Sequence, residues 1–272
     1  MRVVFILSVL MIMSCQNSKK AGHLSSNQYE ADSILYDTYV GELVHETEDS
    51  VWYEPYEKKV LKNRDIFKKG KKYIYQAIYK SEEGVILSIS NIELIPSGER
   101  IEFAPLTQDK VTFKFMNYLN DKSNLKNHII NKELNYWTGH TFEGVIENKE
   151  KVWMHPFRSN QYKFTEVAPF PSVELPLEVG KEWESNLTIG QGWGEWSNTS
   201  GYNYYKVIGK SEFSFGQNKI ECWEIKSNSE FPFGNSKHVF KFNEQFGFVE
   251  MNYVNYENEE LNIKMTEVKY DI

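Results

Sequence analysis

Residues 202–225 read YNYYKVIGKSEFSFGQNKIECWEI, and their rhythm decides the fold. Large apolar side chains alternate with polar ones, the period of a strand with one buried face. Two interruptions, Gly209-Lys210 and Gly216-Gln217-Asn218, are turn formers. The stretch therefore predicts strands over 202–208, 211–215 and 220–225. Working outward, the same alternation recurs over 183–189, 238–242, 248–254 and 261–268. Turn residues at 232–234, 243–247 and 255–258 punctuate it. Sequential strands joined by short turns make an antiparallel meander.

Upstream, residues 73–79, 85–89 and 111–115 alternate in the same way. Residues 141–146 and 151–154 flank a polar turn at 147–150 and predict a hairpin. Leu125, Ile129 and Leu134 recur at near-helical spacing and predict a helix over 124–136. The expected fold is mainly β: a curved antiparallel sheet or sheets, meander or half-barrel, with one or two short helices. Prolines crowd residues 167–176, and a proline removes a ladder donor, so this stretch cannot be a central strand. It is the candidate boundary between an N-terminal β-rich part, 33–170, and a C-terminal antiparallel part, 171–272. One continuous sheet crossing it is the alternative.

The start of the chain has a different logic. MRVVFILSVLMIMSC opens with a positive charge, continues as an apolar run too short to span a bilayer, and stops at a cysteine. Ile12-Met13-Ser14-Cys15 resembles the lipobox of bacterial lipoproteins, with Met13 bulkier than the usual small residue at its position. That resemblance implies a signal peptide over 1–14 and acylation of Cys15. Several acyl chains hold a protein on a membrane far more firmly than one. Residues 15–32 are polar and read as a lipidated flexible tether. Gln16 is not the aspartate of inner-membrane retention, so by analogy the outer membrane is the expected destination. A second resemblance rests on Gly180-Lys-x-Trp183, Val207-Ile-Gly209, Ile220-x-Cys222-Trp223 and Phe246-Gly-Phe-Val249. These motifs look like those of uncharacterised exported proteins with curved half-barrel sheets. They imply a fold and no catalytic residues.

Charge and chemistry narrow the functions. The net charge of −7 and the lack of a basic stretch argue against a nucleic-acid partner. No nucleophile elbow, phosphate-cradling loop or zinc-binding helix motif occurs, so no catalytic residue, metal or cofactor is expected. Cys222 sits in an alternating stretch and reads as a small buried side chain. Asp32-Ser33-Ile34 resembles an O-glycosylation site of exported proteins. Aromatic residues make up 15% of the chain. Trp193 and Trp196 lie in a glycine-rich loop near Tyr202 and Tyr204, and these four are the candidate ligand-binding residues. The expected function is non-enzymatic binding of a hydrophobic ligand or envelope partner. The alternative is glycan binding through the tryptophans, and an envelope hydrolase comes third.

Overall fold

The computed structural model describes residues 65–103, 106–128, 130–134 and 136–270, and the backbone of four short strands before them. The expected signal peptide over 1–14, Cys15, the expected tether over 15–32 and Asp32-Ser33 lie outside the described residues. The short strands are β1 (Ile34–Tyr36), β2 (Glu42–Thr47), β3 (Ser50–Glu54) and β4 (Val60–Lys62). β1 pairs with β4 and β2 with β3, both antiparallel.

The main sheet holds twelve antiparallel strands. β5 (Lys71–Lys80), β6 (Ile86–Phe103), β7 (Leu106–Met116), β8 (His140–Glu147), β9 (Lys151–Met154) and β10 (Ser172–Glu174) run outward to one edge. β11 (Glu182–Ile189), β12 (Thr199–Phe215), β13 (Asn218–Phe231), β14 (Gly234–Asn243), β15 (Gly247–Val254) and β16 (Glu260–Tyr270) run inward from the other. β16 pairs with β5 along its whole length, so the last strand joins the two meanders. The sheet curls into a nearly closed barrel. Lys181 Nζ donates to the carbonyls of Glu174 and Pro176 at 2.9 and 3.0 Å, tying the end of β10 to the start of β11.

The hairpin over 141–154 forms as expected, with Val145 opposite Met154. Two expectations are corrected. Residues 202–208 and 211–215 are one strand: a β-bulge between Val207 and Gly209 absorbs what reads locally as a turn. The helix is α1, Tyr118–Leu125, placed earlier than 124–136. It begins after Asn117 in a left-handed conformation, and a second left-handed residue, Asn131, breaks the stretch expected to be helical. Among the described residues no helix is long and apolar enough to cross a membrane.

The barrel interior is filled by the chain itself. After β9, residues 159–173 are buried without exception as far as β10, including a 3₁₀ segment over Asn160–Val167. Phe157 packs on Phe113 and Tyr75, with ring centroids 4.5 and 5.9 Å away. Tyr162 stacks on Phe115, and Phe164 meets Tyr79 and Tyr253. Farther along, the Pro169 carbonyl accepts from His238 Nδ1 at 2.9 Å, and the Phe170 carbonyl accepts from Tyr205 Oη at 3.1 Å. This strap thus crosses the inner face from β5–β7 to β12–β14. The proline-rich stretch over 167–176 forms its far end and contains β10, an edge strand.

Inward side chains leave little slack. Gly201 on β12 faces in, and a Cβ there would lie 2.6–2.7 Å from the Phe231 ring on β13. Overpacking a filled core costs about 1–3 kcal/mol. Gly201→Ala is expected to lower the urea midpoint accordingly, and an unchanged midpoint would show that Phe231 can move aside.

Candidate functional site

Three connections meet at one end of the sheet: residues 126–128 and 130–134 after α1, the loop 190–197 between β11 and β12, and the turn 255–259 between β15 and β16. Each is shaped by its own residues. Gly192 and Gly194 have φ of 87° and 55°, a region that L side chains rarely adopt. Ser197 Oγ accepts from the Trp193 amide at 2.8 Å. In the third connection, Asn255 Oδ1 accepts from the amides of Glu257 and Glu259, both at 2.9 Å. That is the local side-chain bonding that makes asparagine a turn former.

The tryptophans of the loop join the three connections. Trp196 is completely buried, and its Nε1 donates to Tyr256 Oη at 3.0 Å. Trp193 is half-buried and stacks on Trp196 at 6.5 Å. Its carbonyl accepts from Asn131 Nδ2 at 2.8 Å. Trp196 therefore presents no face to a ligand. Tyr202 and Tyr204 lie on the outer face of β12, 58% and 38% exposed, away from this packing. The four candidate residues do not form one surface.

What the connections enclose is a hollow of about 520 Å³. Glu133, Glu195, Glu257 and Glu259 line it, with Asn131 and His128. Its chemistry is that of an acceptor. Among the described residues, Glu133, Glu195 and Glu257 have no ion-pair partner. Glu259 accepts from Tyr79 Oη and from Asn255 Nδ2, both neutral donors. Partial desolvation raises the carboxyl of the otherwise exposed Glu257 above the ordinary range, Glu259 and Glu195 add to the shift, and Lys132 opposes it. Asn131 is 4% exposed, and its Oδ1 has no hydrogen-bond donor. Among the described residues no three His, Cys, Asp or Glu side chains stand together as a ready-made metal site.

A second charged group lies near Trp193. The Arg158 guanidinium sits 5.7 Å from the indole centre. It reaches Glu143 through two bonds of 3.1 and 3.0 Å, and Glu166 at 3.5 Å. Burial pushes Glu166 up to about 7 against the pull of Arg158, and Glu143 is raised for the same reason. His155 is 3.4 Å from Glu143, yet burial, helped by Arg158, lowers it to about 3. The ring is therefore neutral, and the short distance is not an ion pair at neutral pH. Glu143 and Glu166 are only 3% and 8% exposed, sealed from any substrate. This group pins the strap to β8.

Cys222 is buried, and its thiol is pushed up to about 12 by burial, far from the thiolate that reactivity needs. The acceptor hollow was not legible in the sequence. Its carboxylates come from three segments more than 60 residues apart, and no spacing links them.

No family model and no curated protein matches the chain. Among solved structures it is similar to a chain provisionally named an exported protein with a YmcC-like fold, from Bacteroides fragilis NCTC 9343. That match has 8% identity and a TM-score of 0.42, covering 74% of this chain and 96% of that one. A chain provisionally named a lipoprotein, from Parabacteroides distasonis ATCC 8503, matches at 8% identity and 0.43, over 74% and 95%. The hypothetical lipoprotein YmcC from Escherichia coli K12 matches at 8% identity and 0.32, over 73% and 87%.

Proposed function

We propose that this chain is a lipid-anchored protein of the cell envelope that binds instead of catalysing, and that it takes a hydrophilic envelope component in the three-loop hollow. The observation that carries this reading is where space remains. The strap fills the inner face of the sheet, so a hydrophobic ligand there would have to displace Phe157, Tyr162 and Phe164. The hollow stands open and is walled by polar groups. Anchoring rests on the lipobox at Cys15, and an outer-membrane address rests on Gln16.

Glycan binding is the second reading, favoured by Trp193, which remains half-buried beside the hollow. Its ring is already engaged by Trp196 and Arg158, so stacking on a sugar would need one of them to yield. Native mass spectrometry of the full acylated chain, purified gently from its own membrane, tests the proposal. A retained hydrophilic adduct is expected. A bare chain, or an acyl lipid held through collisional activation, would overturn it. Loss of a sugar adduct on Trp193→Ala would select the second reading.

A further inference from the structure

We propose that the hollow binds a polyamine, an extended molecule carrying several alkylammonium groups; this rests on the hollow being the binding surface. Four carboxylates line it, and Lys132 is the only lysine or arginine among the described lining residues. Among the described residues three of those carboxylates make no ion pair, Lys132 attracting Glu257 without bonding it, and the fourth is held by neutral donors. Four like charges beside a single lysine repel one another, and a bound cation relieves that repulsion.

Asn131 adds an independent requirement. The side chain is almost wholly buried, and its Nδ2 is committed to the Trp193 carbonyl. Its Oδ1 can only accept, and a buried acceptor without a donor costs about 1–3 kcal/mol. Gly194 lets both side chains pack against the loop backbone: a Cβ there would lie 2.5 Å from Asn131 Oδ1 and 2.9 Å from Glu133 Oε2. Two acceptor oxygens are thus brought close together at the wall of the hollow, and an ammonium N–H is the donor that suits both.

The layout separates a polyamine from a metal ion. A divalent cation needs several oxygens within about 2.6 Å, and no such group is assembled among the described residues. Carboxylates spread around a hollow of this volume suit charges spaced by methylenes. Ile130 on the wall supplies an apolar surface for those methylenes.

The test is calorimetric titration of spermidine into the full acylated chain in detergent at physiological salt. Saturable binding is expected, weakened at least tenfold by Glu195→Gln with Glu257→Gln. Both glutamates are exposed, so the pair leaves the core intact. Glu178→Gln with Glu184→Gln, an equal charge change on exposed positions elsewhere, is expected to bind as the parent does. No spermidine binding, or equal weakening by both pairs, would overturn the proposal. Binding of calcium chloride without spermidine would also overturn it. A hydrophilic adduct of different chemistry, together with no spermidine binding, would refute the polyamine and leave the hollow's binding role standing.

Discussion

Arg158→Ala lowers the free energy of unfolding by about 3–5 kcal/mol at pH 8, because it leaves two sealed carboxylates without their cation. Glu143 and Glu166 both bond the same guanidinium, and neither has solvent to replace it. The loss depends on pH. Glu166 already titrates near 7 with the arginine in place, and without it both carboxyls protonate more readily still. At about pH 5.5, below the Glu166 value, that carboxyl carries its proton, and the penalty shrinks. Urea unfolding of both chains at the two pH values measures this. An equal loss at both would assign the effect to lost packing against Trp193. Arg158→Lys recovers only part of the stability, since a point charge cannot span both carboxylates as the planar fork does.

His238→Phe is the second large effect, and it appears as a change of slope. The ring is wholly buried, stacked 3.8 Å from Tyr253, and burial holds its pKa at about 3. A histidine in the unfolded chain titrates near 6.5. The stability that the neutral ring contributes is therefore complete above about pH 6.5. It is lost as pH falls towards 3, because the unfolded chain takes up the proton first. Phenylalanine removes that dependence. It also forfeits the Nδ1 bond to the Pro169 carbonyl, so the variant starts weaker at neutral pH. The gap between the two chains then narrows by about 1.4 kcal/mol for each pH unit between 6 and 4. His155 titrates in the same sense in both chains and cancels in the difference. Parallel stability curves would show that the His238 ring takes up its proton inside the fold.

Both residues belong to contacts that the sequence conceals, for a physical reason. Strand periodicity is local, so the hairpin over 141–154 and the meander from 183 to 268 could be read directly. The bulge after Val207 could not, because Gly209-Lys210 is a turn signal wherever it occurs. The helix shifted because apolar spacing does not report left-handed residues such as Asn117 and Asn131. The strap was hidden by its polarity. Gln161, Lys163 and Glu166 are of residue types mostly found at the surface, yet all are buried. Gln161 donates to Asp121 at 3.0 Å, and Lys163 donates to the Tyr136 carbonyl at 2.8 Å. These partners lie 40 and 27 residues away. Trp193 and Trp196 illustrate the converse: glycine neighbours mark a loop, but a loop tryptophan can still be the mortar between three connections.

The seam between β5 and β16 sets a timetable for the chain's birth. Leu261 lies opposite Tyr79, and Tyr270 opposite Lys71, partners nearly two hundred residues apart. Until that final strand leaves the ribosome, β5 and β15 each wait with an unpaired ladder, the kind of open edge that invites aggregation. Pairing so remote in sequence also slows folding, since a long loop must close before any contact repays it. Docking of β16 is therefore the step that removes both open edges at once and makes one sheet of two meanders.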